Sequence, residues 1–150
     1  MPKNLNAGRL IIVVIVALAS PAFGQSFEKP SYIQWNLAGI RAEGDPDIRR
    51  AKAEYLVEGI YEGRANDISD DDVNALASLL PDRDVQIYMA SILGKIGPRA
   101  RRAVPALVTA IAGWHSQVGT PRTGIWSPSI MCDALGQIDF SQRPADCAEW

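Results

Sequence analysis

The chain has 150 residues, 47% of them apolar and 21% charged, with a formal net charge of −2. That is long enough for one domain with a real core, and too apolar for intrinsic disorder. The acidic balance is the wrong sign for a nucleic-acid binder or a protein held on an anionic membrane surface.

The amino-terminal residues read as a targeting segment. Lys3 and Arg9 give a basic start, and Leu10 to Ala19 is an unbroken apolar run. Ser20 and Pro21 break it, and Ala22-Phe23-Gly24 places small residues where a signal peptidase reads. Ten apolar residues rise only about 15 Å as a helix, roughly half a hydrocarbon core, so a secretory signal is favoured over a retained anchor. The expected division is a signal peptide over residues 1–24, a tether over 25–30 and a folded domain over 31–150. Cleavage after Gly24 predicts a periplasmic or secreted protein with no membrane association. Losing Lys3 and Arg9 from the 15 basic residues leaves 13 against 17 acidic, a net charge of −4. Cys132 and Cys147, the two cysteines, would pair in an oxidising compartment.

The mature part reads as helices. Ser31 is positioned to cap a first one carrying Ile33, Leu37 and Ile40, ending near Gly44. Asp45-Pro46 is a cap followed by a proline at the first helical position. Ile48, Ala51, Tyr55 and Leu56 then predict the buried stripe, with Ile60 extending it. Asn66 and Asp67 mark a turn. Ser69 and Asp72 have the spacing of a capping box, with Asp in place of Glu. Val73, Leu76, Ala77 and Leu80 follow, and Pro81 is expected to stop that helix. Val85, Tyr88, Met89, Ile92, Leu93 and Ile96 form the fullest stripe, starting near Asp82 to Asp84. Gly97-Pro98 should end it. Val104, Leu107, Val108 and Ile111 repeat the spacing, with Pro105 tolerable in a first turn. Gly113 to Trp126 reads as a long connection. Ser127-Pro128 restarts a helix with Met131, Ala134, Leu135 and Ile138, and Phe140 to Trp150 looks irregular.

Self-comparison finds a repeat. Asp47-Ile48 matches Asp84-Val85 at an offset of 37, carrying Ala53 onto Ala90 and Leu56 onto Leu93. Val73-x-Ala75-Leu76 matches Val104-x-Ala106-Leu107 at an offset of 31. Ala134-Leu135-Gly136-Gln137-Ile138 echoes Ile92-Leu93-Gly94-Lys95-Ile96 at an offset of 42. With Asp84-Val85, Ala90, Leu93-Gly94-x-Ile96-Gly97, Ala100 and Ala103-Val104-Pro105-x-Leu107, the chain resembles the HEAT repeat family. The likeness is to its short bacterial style, also called phycobilisome-lyase-like HEAT repeats. It covers about 90 residues and is sharpest from Asp82 to Ala112. The resemblance implies an all-α fold, a short α-α superhelix of about two and a half HEAT-like hairpins. The Ser31 helix would cap one end. The Ser127 helix with the bridged tail would cap the other. Single-stripe helices need such stacking to bury their flanks.

Catalytic and metal constellations are thin. His115 is the single histidine, and its neighbour Ser116 lies in no Gly-x-Ser-x-Gly elbow. Asp70, Asp71 and Asp72 lack calcium-loop spacing and suit the positive end of a helix. No enzyme, metal or cofactor is therefore expected. Arg99, Arg101 and Arg102, clustered with Lys95, are a candidate surface for an acidic partner, against the plainer reading of a solvated face. Trp114, His115 and Trp126 frame the longest insertion, the place where repeat arrays most often bind partners. The two tryptophans would otherwise seal the array's end.

These features predict an exported, non-catalytic protein-binding adaptor or scaffold, with self-association an option for so short an array. The alternatives are a small secreted inhibitor or immunity-type protein, and a bilin lyase-like enzyme subunit suggested by the family's name.

Overall fold

Local capping chemistry starts three of the helices. The computed structural model describes residues 29–65, 67–115, 129–145 and 147. The signal-peptide segment, most of the tether, Asn66, the stretch 116–128 with Ser127-Pro128 and Trp126, and the last residues lie outside them. Helix α1 spans Tyr32–Arg41, with Ser31 Oγ accepting from the amide of Gln34 at 3.0 Å. Helix α2 spans Pro46–Tyr61, and Asp45 accepts from the amides of Asp47 and Ile48. Helix α3 spans Asp70–Ala77 behind a complete Ser69–Asp72 capping box. Asp72 also accepts from the Ser31 hydroxyl, so one buried carboxylate ties the starts of α1 and α3 together.

Helix α4 (Gln86–Ile96) is the hub. Gln86 to Ala90 and Ile92 to Gly94 are all buried, the pattern of a helix surrounded on every side. It packs against α2, α3 and α6, where α6 spans Ser129–Asp139. Gly97 then turns the chain at φ 69° and ψ −143°, a backbone region that glycine alone enters without strain. A 3-10 segment over Gly97–Ala103 leads into α5, Val104–His115. A short 3-10 turn, Phe140–Gln142, follows α6. Among the described residues every regular element is helical, so the fold is all-α. None of these helices is long and apolar enough to cross a membrane.

The Cys132–Cys147 disulfide is formed, its Cα atoms 5.6 Å apart, and both residues are buried. Arg143 Nη2 donates to the carbonyl of Cys147 at 3.2 Å, fixing the returning tail.

Several expectations are corrected. On α2, Ile48 is 48% exposed, and Ala51 and Tyr55 also face out. Leu56 and Ile60 are buried as expected, and Ala53 and Gly59 complete the buried face. The reason is tertiary: Tyr32 of α1 lies over Gly59, where a Cβ would overlap its hydroxyl, and this docking fixes the rotation of α2. Helix α1 ends at Arg41, short of Gly44, and α3 ends at Ala77, four residues before Pro81. Leu80 is nevertheless buried, carried inward by the turns at 78–81. The helix expected from Asp82 to Asp84 begins at Gln86, because those residues form a turn in which Asp82 accepts from the amide of Asp84. Gly113, Trp114 and His115 belong to the last turn of α5 rather than to a connection.

Candidate functional site

The arginine cluster is engaged inside the chain. It sits on the 3-10 segment, and each guanidinium reaches a different place. Arg99 Nη2 donates to the Ile68 carbonyl at 2.6 Å, and Arg102 pairs with Asp70 at 2.5 Å. Arg101 pairs with Asp139 at 3.0 Å. The Ser141 hydroxyl and amide, with Arg101, hold the Asp139 carboxyl below its ordinary value. The Lys95 ammonium stands 4.8 Å from the centre of the Tyr61 ring. Arg99 and Arg102 thus clamp the start of α3, and Arg101 clamps the end of α6.

Trp114 is half-buried against the core and helps form a groove of about 460 Å³. The side chain of His115 and all of Trp126 lie outside the described residues. The groove follows from the composition of α5. Val104, Leu107 and Ile111 supply the core stripe. Pro105, Ala106, Thr109, Ala110, Gly113 and Trp114 form a second face, directed at Leu80, Pro81 and Arg83 of the preceding turns and at Gln86, the first residue of α4. Ala106, Ala110 and Gly113 are too small to fill the space to those residues. The gap stays open, with Trp114 in its lining.

Its polar equipment is sparse. Thr109 Oγ1 donates to the Pro105 carbonyl at 2.9 Å. Gln86 is only 4% exposed, and its Nε2 has no hydrogen-bond acceptor. A buried amide donor left unpaired costs about 1–3 kcal/mol. Arg83 is exposed at the rim. Among the described residues, Arg41, Arg49, Arg50, Arg64, Arg99, Arg101, Arg102 and Arg143 each hydrogen-bond or ion-pair within the chain, and Arg83 does not. Its acidic neighbours turn away: Asp82 and Asp84 both pair with Arg49 of α2. The described lining thus offers apolar surface, an exposed guanidinium and one buried unmatched amide donor, with no carboxylate, thiol or imidazole to move a proton. Such a lining suits binding.

No protein-family model, curated protein or solved structure matches this chain. The groove's own residues are therefore the basis for assigning a role.

Sequence reasoning found Trp114 and missed the rest of the groove. One signal was present. Ala106, Ala110 and Trp114 recur every four residues on a helix whose core stripe is already complete, which marks a second apolar face.

Proposed function

We propose that this is an exported, HEAT-like helical-repeat protein that works as a non-catalytic scaffold, binding a protein partner in the groove between α5 and the turn before α4. The observation that carries the reading is the groove itself. It is an apolar trough lined in part by a tryptophan, a residue type enriched among interface anchors, beside donors that no described group satisfies. The repeat reading is supported by the neighbour pattern of alternate helices: α2 lies against α4, and α4 against α6. Stacking of that kind is what the offsets of 37 and 42 residues call for. Export is supported by the basic and apolar amino-terminal pattern and by a disulfide, which persists in oxidising compartments.

Two measurements test the proposal. Mass spectrometry of the natural protein should find Gln25 at the amino terminus, and a retained Met1 would overturn export. Affinity capture from the envelope fraction should yield a stoichiometric protein that is lost when Thr109→Trp fills the groove. Thr109 is exposed, so this change leaves the core untouched. Identical captures by both forms would remove the groove from the binding role.

A further inference from the structure

The chemistry of the trough narrows what can lie in it. From Pro105 to Trp114 the wall on α5 runs ten residues, whose nine steps span about 13 Å of helix. An extended chain advances about 3.3 Å per residue, so the trough matches roughly four residues of a strand-like segment. The apolar wall takes side chains. The two donors take the segment's acceptors.

We infer that the occupant is an extended acidic segment of a partner protein, with an apolar side chain on Trp114 and an adjacent Asp or Glu carboxylate on Arg83. This rests on the groove-binding reading above and specifies its partner. Arg83 presents a planar fork of donors whose geometry fits a carboxylate, and it has no competing partner in the described chain. The carboxamide of Gln86 sits in the lining with its Nε2 unmatched. The last torsion of glutamine is broad, so a turn of the amide offers that donor to a backbone carbonyl in the trough. The division of labour follows from magnitudes. An exposed ion pair contributes little affinity and much selectivity, while burial against Trp114 and the prolines supplies the binding energy.

The test is selection of a displayed library of random short peptides on the disulfide-intact mature protein. Recovered peptides should pair an apolar residue with Asp or Glu. A synthetic copy should lose binding with Thr109→Trp and weaken about tenfold with Arg83→Glu, and exchanging its acid for Lys should restore binding to the Arg83→Glu protein. Gln86→Met, which keeps the volume and removes the donor, should weaken the peptide without lowering the thermal midpoint. Peptides that need an open groove yet lack an acid and tolerate Arg83→Glu would overturn the acidic segment and leave groove binding standing. Failure to recover any peptide sensitive to Thr109→Trp would overturn both.

Discussion

At Gly94 the chains of α4 and α6 come together. A Cβ there would lie 2.9 Å from the Ala134 Cα and 3.0 Å from its Cβ, and the backbone atom cannot swing aside. Gly94→Ala should therefore destabilise by about 1–3 kcal/mol as overpacking, despite the better helix propensity of alanine. Urea denaturation checks this, and an unchanged or raised midpoint would mean the helices lie further apart. Asp139 makes a second prediction at this scale. Its carboxyl is held below the ordinary value of 3.8, first by the Ser141 hydroxyl and then by the Ser141 amide and Arg101. A lowered folded-state pKa gives stability that is full above the unfolded pKa and is lost as pH falls through the folded one. Stability should thus decline below about pH 4, and Asp139→Asn should flatten that acid limb in a pH series of thermal midpoints.

Among the elements, α2 separates intrinsic pattern from docking. Two apolar sets share the 0, 3, 7 spacing: Ile48, Ala51 and Tyr55 face outward, while Ala53, Leu56 and Ile60 point to the core. Leu56→Ala should cost roughly 2–5 kcal/mol and Ile48→Ala less than about 1 kcal/mol. Equal losses at the two positions would mean that α2 is rotated from the orientation described. Periodicity alone placed Leu56 and Ile60 correctly and Ile48, Ala51 and Tyr55 wrongly. The repeat comparison, which carries Ala53 onto Ala90 and Leu56 onto Leu93, points to the correct side, because corresponding positions meet the same kind of neighbour.

For the whole molecule, one covalent link ties Cys147 back to α6. Cys147 is buried beside α6, and the bond closes a loop with a sequence separation of 15. Replacing both cysteines by serine should lower stability by about 3 kcal/mol, the loop-closure contribution for that length. Equilibrium unfolding of the oxidised and substituted proteins measures it, and equal midpoints would show that packing alone holds the tail. The groove lies on α5 and the turn before α4, apart from the bonded pair. Peptide binding should therefore survive the substitution in protein that remains folded.

The helix starts at Ser31, Asp45 and Ser69 were legible in the sequence because a cap is local: the accepting side chain and the amide it satisfies are two or three residues apart. The cysteine pairing was legible because only two thiols were available. Which side of α2 is buried was not legible from its own periodicity, since a helix of mixed composition offers several stripes and the docking of Tyr32 onto Gly59 selects one. The arginine cluster likewise read as one patch, until folding brought Ile68, Asp70 and Asp139 to its separate members. The groove needed tertiary structure most of all. Its walls lie roughly twenty to thirty residues apart in the chain, and its space exists because small side chains on one wall fail to reach the other. Contacts between neighbours in sequence are written in the sequence; a gap between distant segments appears only when they are brought face to face.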